Sequence, residues 1–329
     1  MAHYGWGDDS DSESKVKSSK AEYDYKSARA AYGSGISSTP MGSRSTRSVS
    51  APSTHVTCKT EPPVGKDIQT DSTHPIVVAT DVTGSMSMWP GLIFEKLPLL
   101  GKEVERYAPE YAISFCAFGD AYCDANPLQV RDFDHGEPLD IHVAELYPEG
   151  GGGDAPESHD LVAYYYLNHC KIDKAVKPIF FFITDTSSHN ELRSSAISKY
   201  VGDKDQSKVM DSVNLFKKLA EKFSVYVLLK DFTYAKGYWT PIFGEQKVKP
   251  IEAPRDIVEL LIAIVAGEMG ELKDFEMRSS RRHSDKLDRV DRVMKSVRTG
   301  LSEKDPAEAG KASVSRKSTA STMKSKKLV

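Results

Sequence analysis

Residues 76–87 read IVVATDVTGSMS, an apolar, β-branched run that ends in Asp81 and is followed by Gly84 and a cluster of hydroxyls. A short run of this kind, closing in a turn, predicts a buried parallel strand whose carboxyl end carries the polar groups. Asp81, Thr83 and Ser85 are spaced two apart. In an extended or looped segment that spacing turns three oxygens toward one point. Oxygen donors without a thiol or an imidazole suit a hard cation such as Mg²⁺, Mn²⁺ or Ca²⁺. The stretch is therefore read as a metal-dependent binding site and not as a catalytic one.

Outward from this strand, the chain alternates helical and extended patterns. Residues 88–107 place Leu92, Leu97, Leu100 and Val104 at helical spacing, with a kink expected at Pro98. YAISFCAF (111–118) predicts the next strand, 128–133 a short edge strand and 139–146 a two-turn helix. The loop EGGGGD (149–154) opens a helix through APESHDLVAYYYLNHC, and PIFFFITD (178–185) repeats the design of the first strand. An amphipathic helix over 206–223, a buried strand over 224–230 and an apolar helix over 256–269 complete the pattern. Such alternation predicts an α/β fold: a mostly parallel sheet with one antiparallel edge strand and helices on both faces. Ligands of such sheets sit beyond the carboxyl ends of strands, where strand order reverses. Asp81 and Asp185 both fall at such ends.

Composition bounds the rest. The 329 residues are 39% hydrophobic and 28% charged, with a net charge of -3, so the whole molecule is no general polyanion binder. Cys58, Cys116, Cys123 and Cys170 show neither CxxC spacing nor the density of a disulfide scaffold. With no signal-peptide layout at the N-terminus and no apolar run long enough to span a bilayer, the expected location is cytoplasmic. Residues 1–70 are rich in Ser and charge and predict a disordered leading region, in which Trp6 and several tyrosines are candidate docking anchors.

DVTGSMS (81–87), GGGGD (150–154) and ITD (183–185) together resemble the three loops of a von Willebrand factor A-type domain. The resemblance implies a Rossmann-like three-layer sandwich over residues 71–277, with a metal ion-dependent adhesion site at its crest. Residue by residue it implies Asp81, Thr83 and Ser85 as ligands from the first loop and Asp185 from the third. There are two departures. Thr83 stands where serine is usual, which keeps the hydroxyl. Asp154 stands where threonine is usual, and a third carboxylate would weaken the ion's attraction for a partner's acidic side chain. Asp154 and Glu157 are also spaced as a capping box, a role compatible with water-mediated coordination.

Other chemistries are less well supported. The glycine run lacks the Gly-Lys-Ser/Thr ending of a P-loop, and Asp154 would repel phosphate. Ser158, His159 and Asp160 are adjacent on one predicted helix and do not face one another, and no GxSxG elbow occurs. His135, His142, His169 and His189 lack zinc spacing. Asp120, Asp124, Asp132 and Asp134 flank the edge strand, as a second cation site or as a solvated acidic surface. A metal-dependent hydrolase remains the alternative; against it stand the absence of a recognisable base and of Arg or Lys beside the site loops.

Past residue 277, Leu287, Val290, Met294, Val297 and Leu301 form a heptad-like stripe on a helix expected over 278–302. Seven Lys/Arg against three Asp make 281–298 basic. The stripe suits either self-association or packing on its own domain. A disordered basic Ser/Lys-rich tail over 303–329 closes the chain, and nucleic-acid or anionic-surface binding through it would show steep salt dependence. The sequence thus predicts a non-catalytic, divalent-metal-dependent protein-interaction module, a scaffold or adaptor. Its partner would meet the metal face, with Trp89, His159 and His189 on the rim.

Overall fold

The computed structural model describes residues 61–86, 89–151, 156–204, 209–282 and 287–299. The tail from 303 onward, most of the leading region and Asp154 lie outside these residues. At the centre is a six-stranded, mostly parallel sheet. Its strands are β1 (His74–Asp81), β2 (Tyr111–Phe118), β3 (Leu128–Val130), β4 (Ile179–Thr184), β5 (Ser224–Leu229) and β6 (Val248–Pro250). They lie side by side in the order β6-β5-β4-β1-β2-β3, and β3 alone runs antiparallel, at one edge. The chain builds outward from β1 to β2 and β3, then returns to the other side of β1 for β4, β5 and β6. Strand order therefore reverses between β1 and β4, which is where an open α/β sheet leaves a crevice at its carboxyl edge.

The strands are buried on both faces, so they read as continuous apolar runs. Alternation still sorts their side chains. Ile76 and Val78 of β1, with Ile179, Phe181 and Ile183 of β4, belong to one apolar cluster; Val77, Ala79, Phe180 and Phe182 belong to a second. The first is covered by α1 (Trp89–Lys96), α2 (Pro98–Val104), α3 (Pro138–Ala144) and α8 (Ile257–Glu268), with α9 (Leu272–Arg282) and α10 (Leu287–Arg298) adding Phe275 and Val290. The second is covered by α4 (His159–Asn168), α5 (Ser194–Tyr200), α6 (Ser212–Lys222) and α7 (Phe232–Phe243). Pro98, expected to kink one long helix, stands at the first position of α2, and the pattern forms two helices, α1 and α2.

The structure corrects several expectations. The predicted start of the helix after the glycine run is too early: Pro156 and Glu157 are not helical, Ser158 is the N-cap and α4 begins at His159. Glu157 therefore does not stand in the first turn of a helix, as the third position of a capping box would. Ile68, assigned by sequence to the disordered leading region, is 1% exposed, and Ile68–Gln69 pairs in parallel with Cys170–Lys171. The middle of the stripe is occupied by the chain's own core: Val290, Met294 and Val297 are buried in the first cluster and unavailable for self-association, while Leu287 is 50% exposed and Leu301 lies outside the described residues. The expected boundary at 277 falls within α9. Among the described residues no helix is long and apolar enough to cross a membrane.

Candidate functional site

Three adjacent parallel strands end side by side in polar residues. β1 ends in Asp81, β4 is followed by Asp185, and β5 is followed by Lys230. Asp81 is fully buried, and hydroxyls and an amide take the place of water around it. Its Oδ1 accepts from the Thr83 backbone N–H at 2.9 Å and from Thr83 Oγ1 at 2.6 Å, while Oδ2 accepts from Thr184 Oγ1 at 2.7 Å. Thr83 Oγ1 lies 3.3 Å from Ser85 Oγ, which donates to Asp185 Oδ1 at 2.9 Å. The four ligands implied by sequence thus form one continuous hydrogen-bonded chain linking β1 to β4. A hydroxyl that gives its proton to a carboxylate retains acceptor lone pairs. The donor set is therefore oxygen throughout, as a hard cation requires.

The glycine loop is held against this chain. Gly84 N–H donates to Gly151 O at 2.6 Å and Gly150 N–H to Val82 O at 2.9 Å, with Gly150 at φ 72°. A Cβ on Gly151 would lie 1.8 Å from Asp124 Oδ1, so glycine there lets the loop close over the β2–β3 turn.

Glu157 is the residue that sequence reasoning assigned to the wrong task. It lies just before α4 and is 2% exposed. Its carboxyl meets the Thr83 side chain, and its Oε2 has no hydrogen-bond partner among the described residues. Burial, followed by the charges of Asp81, Asp120 and Asp124, pushes the Glu157 carboxyl up to about 10. Burial and then the neighbouring Asp185 raise Asp81 to about 7. Both shifts have the same causes in the same order, burial first and neighbouring carboxylates second. At about 10 the Glu157 carboxyl keeps its proton at neutral pH, so a cation would have to displace that proton to use its oxygens.

Lys230 is the second residue missed, and it removes one ground for setting hydrolysis aside. Its Nζ donates to the backbone oxygen of Ser85, lies 3.4 Å from Asp185 Oδ2 and sits 5.7 Å from the centre of the Trp89 ring. A lysine therefore does stand beside the site loops. The sequence placed it at the carboxyl end of the strand over 224–230, but only the pairing of β5 with β4 brings residue 230 to residue 185.

The expected rim divides three ways. Trp89 is half-buried beside Lys230 and belongs to the site's edge. His159 does not: it is 0% exposed, its ring centroid 4.7 Å from that of Phe118 and 5.0 Å from that of Trp239, and burial pushes its pKa down to about 3. It is a neutral core residue because α4 starts there and turns the ring inward. His189 is partly buried and engaged, with Nε2 2.8 Å from Asp120 Oδ1.

The fold and site together define a mixed α/β protein with a largely buried cluster of carboxylates and hydroxyls at the carboxyl edge of a mostly parallel sheet. Its closest description stops at that class: no protein-family model and no curated protein matches the chain. Solved structures that match include the pilus adhesin SpaC from Lactobacillus rhamnosus GG, 12% identical with a TM-score of 0.42 over 64% of this chain and 32% of that one. The open conformation of the same adhesin is 11% identical, with a TM-score of 0.40 over 64% and 31%. Proximal thread matrix protein 1 from the mussel byssus is 13% identical, with a TM-score of 0.41 over 64% and 49%. The chain thus matches less than half the length of each.

Proposed function

We propose that this chain is a von Willebrand A-type domain, a Rossmann-like three-layer sandwich, that holds a divalent cation and presents the loaded crest to a protein partner. Asp81, Thr83, Ser85 and Asp185 would hold the ion, and Glu157 joins them in place of any reliance on Asp154. The observation that carries this reading is the hydrogen-bonded chain Asp81–Thr83–Ser85–Asp185 at the point where strand order reverses. An ion of the Mg²⁺ type would supply two things: charge to offset the crowded carboxylates, and a coordination position for an oxygen of the partner. The protein's own groups do the positioning. Thr184 and Thr83 orient Asp81, while Trp239, whose Nε1 donates to Thr186 O at 2.9 Å, holds the loop after β4 in place.

The role proposed is non-catalytic, a metal-supported scaffold or adaptor, and a cytoplasmic setting belongs to the same reading. Adding Mg²⁺ or Mn²⁺ to chelated full-length protein should raise its melting temperature by several degrees, because a ligand that binds only the native state stabilises it by mass action. Asp81→Ala should remove the effect. An unchanged melting temperature in millimolar Mg²⁺, Mn²⁺ and Ca²⁺ would end the reading. The hydrolase alternative is favoured by Lys230, whose ammonium is placed to meet a developing anion; phosphoester turnover that needs both Mg²⁺ and Lys230 would establish it instead.

A further inference from the structure

Lys230 is held at the crest from both ends. Its backbone N–H donates to Thr184 O at 2.9 Å, which fixes its Cα beside the end of β4. Its ammonium donates to the Ser85 backbone oxygen and faces Asp185 Oδ2 at 3.4 Å, so it touches two of the residues assigned above to the ion. The side chain is 22% exposed and that of Asp185 9%, so solvent screens the pair only in part. Asp185 is shared: one oxygen accepts from Ser85 Oγ and the other faces the ammonium. A divalent ion on the Ser85 and Asp185 oxygens would be a second cation within a few ångströms of the first, where like charges repel strongly. Lysine's long, flexible stem allows the ammonium to leave without moving the strand, and the Trp89 ring centre lies 5.7 Å from its Nζ.

We propose that Lys230 is a tethered cation that competes with the divalent ion for the Ser85–Asp185 side of the site, so that ion binding requires its ammonium to swing out. The proposal rests on the cation-site reading and adds regulation to it. In the ion-free state the lysine neutralises Asp185 and closes the first loop onto β5. In the loaded state the ion takes over both tasks, and the displaced ammonium becomes part of the surface that a partner meets.

The test is Mn²⁺ binding by calorimetry, with melting temperatures in Mn²⁺ and in chelator, on the full-length chain and on Lys230→Met, Lys230→Arg and Asp81→Asn. Competition predicts that Lys230→Met binds Mn²⁺ at least tenfold more tightly than the native chain, that Lys230→Arg stays near the native value, and that Asp81→Asn binds poorly. It also predicts that Lys230→Met melts lower than the native chain in chelator and gains more from Mn²⁺. Should Lys230→Met fail to fold, Lys230→Gln removes the same charge with a polar group of similar reach. Native or weaker affinity in the uncharged variants, with Asp81→Asn still defective, would overturn the competition and leave the ion site standing. No binding by any folded variant would overturn both.

Discussion

Thr83 and Thr184 do for Asp81 what water does for an exposed carboxylate. Between them they supply three donors to its two oxygens in a place that solvent does not reach. Thr184→Val keeps the shape of the side chain and removes the donor to Oδ2. It should cost about 1–3 kcal/mol of unfolding free energy in urea, the usual penalty for stranding a buried polar group. A cost near zero would show that Asp81 does not depend on that donor. At the opposite, amino-terminal side of the sheet, His169 lies between two carboxylates, with Nδ1 2.9 Å from Asp67 and Nε2 3.0 Å from Asp203. Burial opposes its charge, but the hydrogen bonds and charges of Asp203 and Asp67 outweigh that and raise its pKa above the ordinary 6.5. A histidine whose folded pKa is raised stabilises the fold fully below the unfolded value and loses that contribution as pH rises through the folded one. The stability difference between the native chain and His169→Asn should therefore be largest in mildly acidic buffer and shrink in alkaline buffer, as read from urea midpoints. A constant difference would assign His169 a packing role alone.

At the scale of elements, α10 shows how the same stripe can be read two ways. Apolar residues at steps of three and four describe any helix with one covered face, and the cover comes from α8, α9 and the β6 edge. Polar ties fix its place. Lys249 Nζ donates to Val297 O and Thr299 O, both at 2.6 Å, and so satisfies carbonyls at the end of α10. Arg292 reaches both oxygens of Asp256, at 2.8 and 3.0 Å. Met294→Asp would place a carboxylate in a site that is 3% exposed, and should lower the melting temperature of the isolated chain markedly. If the stripe instead served a partner, the isolated chain would tolerate that change.

For the whole molecule, one sheet separates two apolar clusters, and each needs the sheet to bury itself. Leu261 of α8 and Leu219 of α6 are both fully buried, one in each cluster. Leu261→Ala and Leu219→Ala should each cost about 2–5 kcal/mol. With no shared partners, the double variant should lose the sum to within about 0.5 kcal/mol. Both variants should unfold in one transition, since neither cluster keeps its floor when the sheet is lost. Two transitions would mean that the two sides fold as separate units.

Much of this was legible in the sequence. Apolar runs at 76–81, 111–118, 178–185 and 224–230 specified buried strands, and the helical patterns between them specified parallel connections, because those signals are local and repeat over many residues. The proposed oxygen ligands Asp81, Thr83, Ser85 and Asp185 were legible for the same reason: each lies at or just past the end of such a run. Only the tertiary structure decided which residues surround them. Lys230 and Glu157 meet the site through strand pairing and through a helix that starts later than its cap signal suggested, and His159 was drawn into the core by that same shift. A strand's existence is encoded in its own side chains, but its neighbours across the sheet are not. The charge balance of this site depends on those neighbours.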